Sequence, residues 1–367
     1  MLKSKTAVRG TGYRVQVVDP RKLRLKSILQ MGKKNILLYT IHFTLLAFLL
    51  SGCGQNNYKE SRLLMGTVFD ITIRASNQEI AKEAANKAFI EIQNLENKLS
   101  VFKNDSEISL LNRNGQISNP SPELTAIIKE SIRAGDLSAG AFDITLAPVI
   151  NLWGFGPKEK TSVRASERQS VKKTDNIEIP EEKEIKEALK LVNYKNIVID
   201  EKNNSIYFKK KGMEINLGGI AKGYAVDKAV EVLKRENIKK AIVNAGGNLF
   251  AYGTTWRVGI KNPRKEGIFK TVCVKNKAIA TSGDYERFFV SEVKGKRKRF
   301  SHIFDPRTGY PAQDCISATV IAPSGVESDW LSTSLFVLGP EKAKALLNKM
   351  GLKGIIIDKN EKIIEVN

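Results

Sequence analysis

The sequence predicts an α+β fold of mixed helices and largely antiparallel sheets, and three observations predict it. Apolar residues recur at helical spacing in two clear stretches, Ala85, Ala88, Phe89, Ile92 and Leu95, and Val226, Ala229, Val230 and Leu233. Between about 241 and 322, short strand-like segments follow one another with no helix-length connection between them. Strands and helices do not alternate regularly, which argues against a parallel sheet built from βαβ units.

In chain order, MGTVFDITI at 65–73 alternates as a strand does. Ser76-Asn77 then caps a helix running to about Leu99. Ser121-Pro122-Glu123 is a second start signal, a cap followed by proline at the first helical position, and it opens a helix to about Leu137. Residues 157–181 are charged and poor in apolar side chains, the composition of a solvated loop. A short helix at 182–191 precedes strands at 197–200 and 204–208, joined by a turn at Asn203-Asn204. A helix spans 219–235, and strands follow at 241–244, 256–260, 270–275, 277–281, 287–292, 300–304 and 317–322. Helices at about 327–338 and 340–350 lead to a terminal hairpin at 354–365.

Composition limits the function. With 367 residues, 42% hydrophobic and 27% charged, the chain suits one large or two ordinary folded domains, not wholesale disorder or a multi-span membrane protein. The net charge of +21 alone would suggest nucleic acid or an anionic membrane as partner. Residues 1–52, however, carry ten basic side chains against Asp19, so +9 belongs to them and +12 to the remainder. No nucleic-acid partner is expected.

The N-terminal excess has another explanation. Lys33-Lys34 precede the apolar run Ile36–Leu50, too short for a comfortable bilayer span and suited to a signal-peptide core. Leu50-Ser51-Gly52-Cys53 follows at once and resembles the lipobox of bacterial lipoproteins, in which cleavage leaves the cysteine lipid-modified. On this reading residues 1–52 are a signal and upstream segment, Met31 is the true start, 53–60 form a polar tether, and 61–367 form the functional domain. The protein is then expected at the extracytoplasmic (periplasmic) face of a bacterial cytoplasmic membrane, held by lipid on Cys53. Cys273 and Cys315, one in an expected strand and one in an expected loop, could pair in an oxidising compartment, but their spacing does not decide it.

With His42 in the processed segment, His302 is the mature chain's only imidazole, so histidine-ligated zinc is excluded. Too few cysteines remain for a thiolate cage, and a metal must be held by oxygen. His302 lies in SHIFDPRTGYPA (301–312), at a strand end where Asp305-Pro306 and Thr308-Gly309 form a tight turn. Turn chemistry accounts for those formers and leaves the imidazole unexplained.

Asp329 and Thr333 are one helical turn apart and project from one face, a spacing that can hold one hard cation when a phosphorylated ligand completes the shell. By spacing alone the plainer reading is the stronger one, with Asp329 as a helix-start residue and Thr333 as a neutral surface residue. Gly218-Gly219 opens a helix whose amides could receive a diphosphate, although neither it nor Gly246-Gly247 matches the dinucleotide fingerprint and both also suit plain turns. Phe142, Trp153 and Phe155, interleaved with glycines, could clamp a flat ring or pack a core. Lys294–Arg299 reads as a basic hairpin tip.

Taken together, MGT at 65–67, SEIS at 106–109, GAFD at 140–143, LWGFG at 152–156, INLGGIAKGYAVD at 215–227, NAGGN at 244–248, TSGDYER at 281–287, SHIFDPRTG at 301–309, and Asp329 with LST at 331–333 resemble the ApbE family of flavin transferases, from about residue 60 to the C-terminus. The resemblance implies an Mg2+-dependent enzyme that takes FAD as substrate, joins its FMN half through phosphate to a threonine or serine of an acceptor flavoprotein, and releases AMP. It places Met65, Phe102, Ala141, Phe142, Asp143, Asn216, Lys222 and His302 where the family contacts FAD. It places the Gly219 carbonyl, Asp329 and Thr333 where the family holds magnesium, and His302 where a general base acts. Similar members differ at the Asn216 and Lys222 positions. Nqr- or Rnf-type electron-transport subunits and extracellular flavoproteins are the implied acceptors. An FAD pyrophosphatase giving FMN and AMP, or a lipoprotein that only binds flavin, are the competing readings.

Overall fold

The computed structural model describes residues 56–156, 179–293 and 296–367. Cys53, the apolar run before it and Met31 lie outside the described residues, as does most of the 157–181 loop. An eight-stranded, wholly antiparallel sheet organises the molecule. Its spatial order is β1 (Asn56–Leu64), β2 (Thr67–Ala75), β6 (Ala241–Ala245), β7 (Asn248–Tyr252), β10 (Lys277–Gly283), β13 (Cys315–Ala322), β14 (Lys353–Asp358) and β15 (Ile363–Val366). The α+β expectation holds.

One face of this sheet is covered by helices. α1 (Gln78–Leu99) starts where Asn77 accepts from the Glu79 and Ile80 amides at 2.9 and 3.2 Å, and it turns Ala81, Ala84, Ala85, Ala88, Phe89, Ile92 and Leu95 inward. α6 (Ala221–Arg235) packs on α1 and on β6 and β7, while α7 (Gly325–Leu338) lies across β7, β10 and β13. α8 (Pro340–Met350) closes the end over β14 and β15. The opposite face is capped by the ribbon of β8 (Trp256–Lys261) and β9 (Ile268–Val274), so Ile242, Leu249, Ala251, Trp256, Val258 and Ile279 form a second core there. Every residue of β6 and β7 is therefore buried, and neither strand has a solvent side to fill with alternating polar residues.

The rest sits at the edges. α2 (Glu107–Asn114), β3 (Gln116–Ser118) and α3 (Pro122–Leu137, capped by Ser121) are followed by a 3-10 turn at Ile144–Leu146, α4 (Ala147–Leu152) and α5 (Glu182–Leu189). β4 (Ile197–Asp200) and β5 (Ser205–Phe208) join β3 in a small sheet. β11 (Phe288–Val293) and β12 (Lys296–Ser301) form a separate hairpin.

The structure revises several boundaries. The supposed tether already contains strand, because β1 begins at Asn56. The strand expected at 65–73 is preceded by a turn at Met65-Gly66, where both residues have positive φ (50° and 70°). α2, α4 and β7 were not expected. The strand placed at 300–304 ends at Ser301, and the basic run read as a hairpin tip enters β12 from Lys296. Cys315 opens β13 instead of lying in a loop, and Cys273 and Cys315 are both free thiols.

Candidate active site

Two groups of side chains meet at the sheet's helical face. The first is built where α6 and α7 cross. Asp329, on α7, is 3% exposed, and its Oδ2 accepts the Gly223 N–H at 2.8 Å. Asn248 of β7 donates to the same carboxylate, and Lys222 Nζ lies 3.8 Å from Oδ1. Burial pushes the Asp329 carboxyl above its ordinary range, against the pull of Lys222 and of these donors toward the ionised form. Lys222 is itself tied back, donating to the Gly218 carbonyl at 2.9 Å.

One turn further along α7, Thr333 Oγ1 lies 3.3 Å from the Asp329 carbonyl and 3.3 Å from Ser282 Oγ, at the end of β10. Gly219 faces it: a Cβ there would stand 3.4 Å from Thr333 Oγ1 and 3.1 Å from the Phe142 ring. The structure thus brings Gly219, Asp329 and Thr333, distant in sequence, to one place. A buried carboxylate, a hydroxyl and a backbone carbonyl are all-oxygen chemistry, and they fit a hard cation. Among the described residues no cluster of three His, Cys, Asp or Glu side chains could hold a metal unaided. Such an ion would need ligand oxygens or water to fill its shell.

The second group is carried by the β11–β12 hairpin. His302 follows β12 directly, and both its backbone N–H and its Nδ1 meet the carbonyl of Arg287, the residue before β11, at 3.1 Å. A carbonyl can only accept, so Nδ1 carries the proton and Nε2 presents a lone pair, as a general base requires. Burial, together with the positive charges of Arg287 and Lys222, lowers the imidazole pKa to about 4 against the opposing bond to Arg287. The near-neutral value of an unperturbed histidine, which would suit a general base, does not apply here: this ring is neutral well into the acid range. Met65-Gly66 adjoins the same group, since a Cβ on Gly66 would be 3.6 Å from the Arg287 guanidinium, and the Met65 N–H is held by Glu96 Oε1 at 3.0 Å. Lys222 joins the two groups, acting electrostatically on Asp329, His302 and the half-buried Glu286.

An aromatic cluster braces the hairpin. Trp153 is 1% exposed and packs on Phe289, Phe300 and Phe304 with centroids 5.7–6.2 Å away. Its Nε1 donates to the Gly309 carbonyl at 3.0 Å, inside the turn after His302. Gly309 has φ 71°, and a Cβ there would meet Ile185 at 2.6 Å. Trp153 and Phe155 are thus core residues, not a ring clamp.

The remaining expected FAD contacts divide. Asn216 Oδ1 takes the Gly218 N–H at 2.8 Å while its own N–H binds the Ile144 carbonyl at 2.7 Å, which shapes the loop leading to Gly219. Asp143 accepts from Thr145 N (2.8 Å), Thr145 Oγ1 (2.6 Å) and Tyr194 N (3.0 Å), so its carboxylate organises the chain around it. Ala141 and Phe142 are buried, 1% and 4% exposed, and leave chiefly backbone for a ligand. Phe102 is 65% exposed beyond the end of α1, the only one of these side chains left largely to solvent. Ser282, Glu286 and Arg287 lie in the TSGDYER motif and Asn248 in NAGGN, but none was given an individual role from the sequence. Asn248 did carry a signal: an amide within an otherwise apolar strand needs a buried partner.

The comparisons bear on this geometry. The model of the ApbE family matches residues 65–356. A Haemophilus influenzae protein named FAD:protein FMN transferase is 33% identical over 312 residues, covering 80% of this chain and 84% of its own. The Escherichia coli K12 protein of the same name is 31% identical, with 80% and 82% covered. Among solved structures, the ApbE protein of Thermotoga maritima superposes with a TM-score of 0.74 at 31% identity, covering 85% of this chain and 97% of that one. The flavin transferase ApbE of Vibrio cholerae gives 0.70 at 26%, covering 85% and 96%. With the family model spanning most of the chain and these relatives aligned over four-fifths of it, the chain belongs to the ApbE family.

Proposed function

We propose that this chain is an FAD:protein FMN transferase that uses Mg2+, moving the FMN moiety of FAD to a threonine or serine hydroxyl of an acceptor protein and releasing AMP. The observation that carries the reading is the convergence on Lys222 of an oxygen-only cation site and an imidazole whose Nε2 is an acceptor. Phosphoryl transfer needs these parts: charge neutralisation, positioning, and a base for the incoming hydroxyl.

The Gly219 carbonyl, Asp329 and Thr333 would hold the magnesium, which supplies charge neutralisation at the diphosphate. Lys222 adds a fixed positive charge beside it. His302 Nε2 takes the proton of the acceptor hydroxyl, and the freed oxygen forms a bond to the FMN phosphorus. The bond from that phosphorus to the bridging oxygen breaks, and the oxygen leaves with AMP. Arg287 holds the imidazole in the required tautomer through its carbonyl.

The test is incubation of the purified protein with FAD, Mg2+ and a candidate acceptor, followed by intact-mass measurement. Acceptor mass rising by one FMN less water, with AMP formed in equal amount, is expected. Free FMN and AMP with an unmodified acceptor would replace transfer by hydrolysis, and unchanged FAD would leave only flavin binding.

We also place the enzyme at the extracytoplasmic face of a bacterial membrane, anchored by lipid on Cys53. Lys33-Lys34, the run Ile36–Leu50 and the Leu50–Cys53 signature support it. No helix among the described residues is long and apolar enough to cross a membrane. Cys53→Ala should move the protein from the membrane to the soluble fraction; retention would refute the anchor. Nqr- or Rnf-type subunits and extracellular flavoproteins are the acceptors to try first.

A further inference from the structure

α6 and α7 cross where each has a glycine in its first turn, Gly223 and Gly325. A Cβ on Gly223 would fall on the Gly325 carbonyl oxygen and stand 2.7 Å from Asp329 Cβ, and a Cβ on Gly325 would stand 2.5 Å from the Gly223 carbonyl oxygen. The two backbones therefore touch. First-turn amides have no acceptor within their own helix. Here each helix takes acceptors from the other, four residues past the other's glycine. Asp329 of α7 accepts the Gly223 N–H at 2.8 Å, and Asp227 of α6 accepts the Gly325 and Val326 N–H groups at 2.6 and 2.8 Å.

The exchange is nearly two-fold symmetric, yet its halves differ in use. Asp329 stands beside Lys222 and Thr333 in the cation site, whereas both oxygens of Asp227 are committed to α7 amides. Asp227 is not needed to start α7, because Ser324 Oγ already caps that helix on the Glu327 N–H at 3.2 Å. It is also a half-buried carboxylate whose position costs it hydration, with Lys228 and Glu231 of its own helix among its charged neighbours. A desolvated charge of this kind is a weak source of stability, and its best-attested use is fixing register.

We propose that Asp227 is a positioning residue for the transfer reaction: it fixes the height of α7 against α6, and so holds Asp329 and Thr333 opposite Gly219 and Lys222. This rests on the metal-dependent reading above. Asp227 touches neither the cation site nor the base. It acts through the register of the helix that bears the ligands.

The experiment measures transfer rate against Mg2+ concentration and against FAD, together with Tm, for the wild type, Asp227→Asn and Ser324→Ala. Asn keeps the shape and one acceptor oxygen but turns an amide donor toward an amide donor. Asp227→Asn should need about tenfold more Mg2+ for half-maximal rate, the usual scale for a residue supporting a metal ligand, with the KM for FAD nearly unchanged. Ser324→Ala weakens the same helix end without loosening it from α6, so it should lower Tm and leave the Mg2+ requirement at the wild-type value. Wild-type Mg2+ dependence in Asp227→Asn would overturn the proposal, as would a requirement that follows Tm equally in both variants. Should Asp227→Asn fail to fold, Asp227→Glu, whose longer side chain pushes the helices apart, is judged by the same criterion. A wild type that transfers FMN fully in EDTA would instead refute the metal reading, and this role with it.

Discussion

The low pKa of His302 makes a quantitative demand on the pH profile. If the ring titrated at its ordinary value of 6.5, only about 3% would be in the basic form at pH 5; at a pKa of about 4, roughly 90% is. The profile of kcat/KM for FAD reports the free enzyme's groups, so its acid limb should bend near pH 4 and the rate should stay almost level from pH 8 to 5. The assay is the initial rate of acceptor flavinylation at subsaturating FAD and fixed ionic strength, followed by acceptor mass. Lys222→Met removes one of the positive charges that lower this pKa and should move the limb upward. Burial also raises the Asp329 carboxyl, which must be ionised to serve a cation, so a second group can enter the same limb. His302→Asn separates them, because any limb that survives in it belongs to Asp329. A wild-type limb near 6.5 that disappears in His302→Asn would refute the environment argued for the imidazole.

Asp329→Ala should abolish Mg2+-dependent transfer. It should also lower stability by about 1–3 kcal/mol, because the Gly223 N–H and the Asn248 amide lose their buried acceptor; full activity with replenished Mg2+ would reject Asp329 as the anchor. Thr333→Ala should act in the same direction less severely, raising the Mg2+ requirement with little change in Tm, since the Thr333 hydroxyl has only long contacts of 3.3 Å. Trp153→Ala should cost about 3–5 kcal/mol on urea denaturation, and at temperatures where the variant remains folded it should reduce kcat more than it raises the KM for FAD; a variant that loses stability but keeps kcat would show that the aromatic brace does not position His302.

The sequence disclosed the elements that declare themselves locally. Asn77, Ser121 and Pro122 announce their helices by side-chain chemistry, and α1 and α6 by their apolar spacing. β1 stayed hidden because an edge strand has one neighbour and few positions that must be apolar: NNYKESRLL reads as polar chain, and Leu63 is 74% exposed. α2 and α4 are only 8 and 6 residues long, too short to complete a periodic pattern. At the site, residue types pointed to His302 and raised Asp329 with Thr333 and the Gly218-Gly219 turn as candidates, while the metal role of Gly219, Asp329 and Thr333 and the place of Lys222 came from the family resemblance. What the residues alone could not show was that the Asp143 carboxylate also accepts from Tyr194, or that the Arg287 carbonyl fixes the tautomer of His302, since both depend on contacts outside the local chain.

The two groups of the site rest on different kinds of support. Asp329 and Thr333 stand on a helix buried nearly all round, where Ser328, Ser332 and Ser334 are as inaccessible as Leu331 and Leu335. A helix of that kind is fixed by every neighbour it touches, and its serines satisfy themselves on its own carbonyls, as Ser332 does on Asp329 and Ser334 on Trp330. His302 stands at the open end of a two-stranded hairpin, an element that is marginal by itself. Its place depends on the pairing of Phe288 with Ser301 and on the packing of Trp153 beneath Phe289 and Phe300. The alternation of β12 follows from this: Phe300 faces the aromatic cluster, while Arg297 and Arg299 on the opposite face are exposed. On the proposed mechanism the LWGFG motif would serve the reaction without touching it, by bracing the ribbon that carries His302.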